Sequence, residues 1–418
     1  AGLPRFGGVV LIPEGFIPTQ RVESQLYLFF RNVSWILVLI CCVSPSENVF
    51  AQSDTRMIKE PMIGVGLASG LMDLTVAAKN SVIKVQKRRE ILRFESPLSI
   101  YVRAQSVIIG DYQFSEPIRI RAEEGLMMVD GRSLTGWVEF QPLSRESGGW
   151  EVIERIPMEQ YLLGVVSKEV SANSFPMASL KAQAIASRTY AYFHVLSRPG
   201  KRRHVHSTVR SQVYGGLSDI PDKIRQAVEE TRGQVLIHSG KIFESFFHST
   251  CGGTTCSGVE AFGLPSLEVF SSVRCEGCTT SKYFRWELEA QESVVRSALL
   301  KVKGVDKISL GKIKRIEPVD RASSGHVAYF KVQHGKGSFE VSANSLRFGF
   351  SSLKTEGKLR SQAFDVESRG DKFVFRGRGW GHGVGMCQMG ARGYALSGWT
   401  EDQILQHFYR GTEIRRLW

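Results

Sequence analysis

From Met62 to about Pro142, apolar and polar residues alternate in short runs, as in Leu74-Thr75-Val76 and Ile118-Arg119-Ile120, with glycine-bearing breaks such as Asp130-Gly131. A period of two places one side of each run against a core, so this stretch predicts a set of short β-strands. The pattern changes at Pro157, which opens a predicted helix through Val170. After a Ser/Asn/Pro break a second helix is predicted from about Pro176 to Leu196, with proline at its first turn, where a missing N–H costs little. Leu180, Ala184, Ala191 and Val195 mark its apolar stripe. Residues 205–375 read as turn-rich and strand-like. The end is helical again, because Thr400 and Gln403 form a capping box ahead of Ile404, Leu405 and Phe408, and Gly411 closes the helix.

These elements predict an α+β protein, mixed and strand-rich, with a few helices flanking a cleft. At 418 residues the chain exceeds one average domain, so two lobes are expected. The divisions expected are a leader over 1–51, a strand-rich region over 52–145 and a core over 146–418 that carries a glycine-rich motif near its end.

Charge changes the picture. A formal net charge of +13 points to a polyanionic partner: nucleic acid, an acidic membrane surface or an acidic polysaccharide. The first fifty residues narrow the choice. Arg31 precedes an apolar run from Trp35 to Val43, and Val49-Phe50-Ala51 places small residues three and one positions before Gln52. That is the arrangement of a secretory signal cleaved after Ala51, and the apolar run is too short to cross a bilayer comfortably. Ile40 ahead of Cys41 is too bulky for the usual lipidation site. The expected location is therefore the periplasm or cell envelope, with membrane anchoring if the signal stays uncleaved. Export, together with the lack of zinc-finger spacing or a helix-turn-helix pattern, argues against nucleic acid as the partner.

Four segments carry candidate chemistry. Glu169 ends an otherwise apolar helix, where a partly desolvated carboxyl would have the raised pKa that a general acid needs; a solvated carboxylate at a helix end is the plainer alternative. Lys181 and Arg188, seven residues apart, share one face of the second helix and could hold substrate carboxylates or form a solvated basic face. Glycine stands at every second position from Gly377 to Gly385. This strips one edge of the chain of side chains, including at Gly383 and Gly385, so that backbone amides could meet a flat, hydroxyl-rich polymer. Trp380 can stack on a sugar ring, and His382 and Gln388 supply hydrogen-bonding groups; a glycine-rich turn packed on the core is the alternative. Finally, Cys251, Cys256, Cys275 and Cys278 fit either two disulfides or one structural zinc site, with His248 as a substitute ligand.

At these residues the chain resembles the SpoIID/LytB family, named for the stage II sporulation protein D and for an amidase enhancer. The blocks that carry the resemblance are Tyr161-Leu162-Leu163-Gly164-Val165-Val166-x-x-Glu169, Leu180 through Ala191, Gln212-Val213-Tyr214-Gly215-Gly216, and Gly381-His382-Gly383-Val384-Gly385-Met386-x-Gln388-x-Gly390-Ala391, in family order. The resemblance implies a cleft protein whose sporulation members are lytic transglycosylases on murein strands lacking stem peptides. It implies that Glu169 is the catalytic acid, that Lys181 and Arg188 support the site, for example by holding the lactyl carboxylates of muramic acid, and that Gln212 and Tyr214 belong to the substrate-binding surface. Two positions depart from the pattern: Cys387 stands where many members have serine, and Thr255 where zinc-binding members have a histidine.

Three functions follow as expectations. The leading one is non-hydrolytic cleavage of the bond between N-acetylmuramic acid and N-acetylglucosamine, which needs no cofactor and only one carboxylate. The alternative is a glycan-binding enhancer of a murein amidase. A cysteine peptidase using Cys387 and His382 is weaker, since no orienting partner is apparent.

Overall fold

The computed structural model describes residues 57–144, 148–305, 309–353 and 357–418. The expected leader and signal over 1–51, with the apolar run at 35–43, lie outside the described residues.

The alternating stretch forms two sheets. The first has seven strands, in spatial order Val205–His206, Met62–Gly70, Trp150–Pro157, Trp137–Pro142, Ile118–Ala122, Ile83–Lys87 and Glu90–Phe94. The second has six, in the order Arg132–Leu134, Met127–Val129, Met72–Ala78, Leu98–Val102, Val107–Ile109 and Tyr112–Phe114. Alternation does what period two requires: Ile118, Ile120 and Ala122 are buried while Arg119 and Arg121 between them are half-buried. The boundary expected at 145/146 falls inside the first sheet, because Trp137–Pro142 and Trp150–Pro157 are antiparallel neighbours paired from Trp137↔Arg155 to Pro142↔Trp150.

Eight helices occur among the described residues: α1 (Met158–Glu169), α2 (Met177–Leu196), α3 (Asp222–Glu230), α4 (Gly258–Phe262), α5 (Glu292–Leu299), α6 (Ala343–Ser351), α7 (Gln388–Leu396) and α8 (Glu401–Phe408). The α1 and α2 spans match the expectation, and Pro157 and Pro176 occupy their N-cap positions. The capping box of α8 forms, with Thr400 N donating to Gln403 Oε1 at 2.9 Å and Gln403 N donating to Thr400 Oγ1 at 3.3 Å. The helices α3 to α6 interrupt the region read as strands and turns. Each has nine residues or fewer, too short for a 3.6-residue period to stand out from the surrounding strand pattern. None of the helices among the described residues is long and apolar enough to cross a membrane.

Three apolar cores result. The first joins both large sheets to α1 and α2 through residues such as Val65, Ile100, Leu162 and Leu180. The second gathers Ile185, Leu236, Met386, Ile404, Leu405 and Phe408. The third packs α5 and α6 on two three-stranded sheets around Val295, Phe330, Phe350, Phe364 and Phe375. The protein is thus strand-rich α+β.

The α2 helix serves two cores at once. Leu180, Ala184 and Ala191 enter the first, and Ala182, Ile185 and Ala186 the second, so small residues are needed nearly all round. In its middle Arg188 is wholly buried, with 0 % of its surface exposed. Its Nε donates to Glu159 Oε1 at 2.9 Å and its Nη2 to Glu159 Oε2 at 2.7 Å, while Nη1 donates to the carbonyl of Gln234 at 3.1 Å. Glu159 Oε1 also accepts from Gly233 N at 3.1 Å and from Trp418 Nε1 at 2.9 Å. This network ties α1, α2, the turn after α3 and Trp418 together. Arg188→Ala would leave the Glu159 carboxylate buried beside uncompensated partners, and we expect urea unfolding to show a loss of about 3–5 kcal/mol. A loss below about 1 kcal/mol would mean that the pair is dispensable to the fold.

Candidate functional site

Glu169 sits at the last position of α1, half-buried. Gly164, one turn earlier, has no Cβ to collide with the Tyr214 ring and with the carbonyl of Gly216, the latter 2.7 Å from where a Cβ would lie. The loop around 212–216 can therefore lie on the helix, and Gly215 N donates to the carbonyl of Gly164 at 3.3 Å. This close approach brings Val213 N to 2.9 Å from Glu169 Oε1. From the other side Gln388, the first residue of α7, sets its Nε2 at 3.4 Å from Glu169 Oε2 and 3.4 Å from Gln183 Oε1. Burial pushes the Glu169 carboxyl above its ordinary value, and the Val213 and Gln388 donors, which favour the charged form, offset part of that shift.

Behind Glu169 a polar chain continues into the core. Gln183 Nε2 donates to Ser187 Oγ at 3.0 Å, Gln212 Nε2 donates to the Ser187 carbonyl at 3.2 Å, and the Tyr161 hydroxyl donates to Gln212 Oε1 at 3.0 Å. Tyr161 stacks on Tyr214 with ring centroids 5.3 Å apart, and the Tyr214 hydroxyl donates to Glu154 Oε2 at 2.8 Å. Glu154 is itself fully buried, and desolvation pushes its carboxyl up to about 7 although Tyr214 and the Gly136 and Thr135 amides favour its charged form.

Several residues expected to touch substrate are placed otherwise. Arg188 is spent on Glu159, as described above, and is closed to any external carboxylate. Lys181 is taken up by ion pairs, its Nζ lying 2.6 Å from Glu230 and 3.5 Å from Glu401. Gln212 and Tyr214 are buried and bonded internally, so they hold the loop that reaches Glu169 instead of meeting a ligand. Gln388 is buried too, and its amide is directed at Glu169 and Gln183.

The glycine run is a threading device within the protein. A Cβ on Gly383 would meet the His326 ring and Cys256, and one on Gly385 would meet the backbone of Phe246. Both have positive φ, +85° and +70°, so the run does not offer a bare edge to a polymer at these positions. Within it His382 is held neutral. Its Nδ1 accepts from Val384 N at 3.1 Å, which leaves the proton on Nε2 to donate to the Phe247 carbonyl at 2.9 Å, and burial drives its pKa well down. Trp380 differs from its neighbours: 40 % of it is exposed. Its ring stands edge-on to Tyr283 at 4.4 Å, with the Arg360 guanidinium 5.2 Å from the Trp380 centroid and 4.4 Å from that of Tyr283.

The cysteine set is also revised. Cys256 stands apart from the others; burial pushes its thiol up to about 11 and Ser324 is its side-chain hydrogen-bond neighbour. His248 turns its Nδ1 to the Val384 carbonyl at 3.1 Å. Cys251, Cys275 and Cys278 are joined instead by Cys387. Cys387 is fully buried and its sulfur accepts from Cys251 N and Gly390 N, which together with the engaged imidazole of His382 removes the basis for a cysteine nucleophile.

Sequence reasoning passed over Gln183, the Val213 amide and Glu154. Gln183 carried a signal, being a lone amide between Ala182 and Ala184 in an apolar helix. A backbone N–H carries none. For Glu154 the folded pKa lies above the unfolded one, so its protonated form stabilises the fold; that stabilisation is complete below the unfolded value and is lost as pH rises toward about 7. The difference is on the order of 3 kcal/mol. We expect Glu154→Gln to flatten the fall in melting temperature between pH 5 and 8, and an unchanged pH profile would show that Glu154 titrates normally.

Comparison with known proteins gives consistent matches. The family model described as stage II sporulation protein (SpoIID) matches residues 146–238, and one described as a domain of unknown function (DUF8618) matches residues 268–385. An uncharacterised protein of Brachyspira hyodysenteriae is 31 % identical over 338 residues, covering 80 % of this chain and 85 % of that protein. Stage II sporulation protein D of Bacillus subtilis is 30 % identical over 278 residues, covering 63 % of this chain and 75 % of that protein. The amidase enhancer of Bacillus subtilis is 28 % identical over 293 residues, covering 60 % of this chain and 40 % of that protein.

Proposed function

The chain belongs to the stage II sporulation protein D (SpoIID) family, and from that premise and the setting of Glu169 we propose that it is an exported lytic transglycosylase that cleaves the bond between N-acetylmuramic acid and N-acetylglucosamine in murein strands. The observation that carries this reading is the Glu169 carboxyl, half-buried at the end of α1 with its pKa raised by burial and its orientation fixed by Val213 and Gln388.

A carboxyl in that state keeps its proton at a pH where an exposed glutamate has lost it, and can deliver it to the leaving glycosidic oxygen. The resulting carboxylate then takes the proton of the muramic 6-hydroxyl as that oxygen closes a 1,6-anhydro ring. The proton account balances, no water is consumed, and one carboxylate serves both steps. The Val213 amide and the Gln388 side chain stabilise the charged form in the interval. Strands lacking stem peptides would reach such a site most easily. A glycan cleft beside Glu169 is part of this proposal, and the exposed Trp380, flanked by Tyr283 and Arg360, supplies an aromatic and cationic surface suited to an anionic sugar chain.

The likeness to a protein named amidase enhancer supports a second reading, in which the same surface binds glycan and stimulates a murein amidase without cutting. One experiment separates the two. We expect Glu169→Gln to abolish release of anhydro-sugars or anhydro-muropeptides, read by mass spectrometry, while murein pelleting persists. Cleavage at the wild-type rate by the variant would sink the assignment, whereas no cleavage by either protein with undiminished amidase stimulation would favour the enhancer.

The pH profile gives a further check. Activity should fall as pH rises through the raised pKa of Glu169. Gln388→Leu removes a donor that favours the carboxylate, so the alkaline limb should move to higher pH; a move to lower pH would contradict the hydrogen-bond account. Trp380→Ala should weaken murein pelleting with little change in melting temperature, since the ring is already partly exposed. A large fall in melting temperature with unchanged pelleting would make Trp380 a packing residue.

A further inference from the structure

The sulfur atoms of Cys251, Cys275, Cys278 and Cys387 all lie within 4.8 Å of one another, and all four residues are buried. Cys251 Sγ and Cys278 Sγ are 3.5 Å apart. A mononuclear tetrahedral site with metal–sulfur bonds of ~2.3 Å has sulfur–sulfur edges of about 3.8 Å. A disulfide would instead draw the sulfurs into two pairs at ~2.05 Å. Iron–sulfur clusters insert inorganic sulfide between their ligands and need the thiolates farther apart, so the space suits one ion.

The surroundings are built for that arrangement. Cys275-Glu276-Gly277-Cys278 supplies two ligands from one tight turn, and Cys251 is followed by Gly252 and Gly253, both with positive φ, so that the chain turns away at once. Cys387 is the N-cap of α7. Its sulfur accepts from Gly390 N at 3.2 Å and from Cys251 N at 3.3 Å, the kind of N–H donation that orients a thiolate ligand. Gly390 is required by the site, because a Cβ there would collide with Cys275 Sγ. Gly277 and Gly390 meet backbone to backbone, a Cβ on Gly277 lying 2.5 Å from the Gly390 carbonyl oxygen. Phe408, Tyr409 and the partly buried Tyr394 belong to the same apolar core and shield it from water.

We propose that Cys251, Cys275, Cys278 and Cys387 bind one zinc ion in an all-thiolate site, with Cys387 as the fourth ligand and Cys256 and His248 outside the set. The ion would lock α7 to the 251–278 loops, one residue before the Gln388 amide that reaches Glu169. The proposal does not rest on the glycan-cleaving reading, and its test reads metal rather than activity.

The full chain, purified without chelator, is measured by elemental analysis and native mass spectrometry. We expect one zinc per chain in the wild type and in Cys256→Ser, and a loss of at least tenfold in zinc occupancy in Cys387→Ser. Alkylation with peptide mapping should find the four cysteines protected until a chelator is added, and then modified as free thiols. If Cys387→Ser does not fold, cobalt exchange into the wild type decides, through intense tetrahedral bands and thiolate charge transfer. Disulfide-linked peptides without metal, iron in place of zinc, or zinc kept by Cys387→Ser and lost by Cys256→Ser would each overturn the proposal.

Discussion

The buried ion pair between Arg188 and Glu159 is the constraint on which the rest of the structure depends. Both groups are buried, so each must find its partners inside the protein, and those partners come from α1, α2, the segment after α3 and Trp418. Once that network closes, the relative placement of α1 and α2 is set. The carboxyl-terminal end of α1 is then fixed against the loop at 212–216, and with it the position of Glu169.

The environment of Glu169 follows from close backbone approaches more than from charge. Gly164 lets the 212–216 loop touch the helix, and the glycines of the 377–385 run let that segment pass between Phe246, Cys256 and His326 before α7 begins. These approaches deliver one backbone N–H and one side-chain amide to the two carboxylate oxygens. Among the described residues no cation is hydrogen-bonded to Glu169; desolvation therefore prevails and its pKa rises, whereas a nearby Lys181 or Arg188 would have lowered it. The ion pairs that hold those two cations are thus part of what leaves the Glu169 pKa raised.

A second polar layer lies beneath. The stacked Tyr161 and Tyr214 link the Gln212 amide to Glu154, so the loop carrying the Val213 amide rests on a carboxyl that titrates near neutrality. The cysteine cluster includes Cys387, the N-cap of α7, and so lies next to Gln388 in the chain. Glu169 therefore receives its two hydrogen bonds from two segments, the 212–216 loop and the start of α7, which the chain through Gln183 and Ser187 also links to each other.

The strands over 62–142, the two helices opened by Pro157 and Pro176, and the capping box at Thr400 were legible in the sequence, because periodicity, proline geometry and capping are local properties. The family blocks likewise marked Glu169. What the sequence left undecided is which side chains those blocks expose. Lys181 and Arg188 look alike on a helix, and only the tertiary fold supplies Glu230, Glu401 and Glu159 to consume them. Alternating glycines serve a polymer or a neighbouring strand of the same protein equally well until the positions of Phe246 and His326 are known. Cys256 lies nearer in sequence to Cys251 than Cys387 does by more than a hundred residues, yet Cys387 joins the cluster, because sulfur atoms converge through the packing of α7 on the 275–278 turn and not through spacing along the chain.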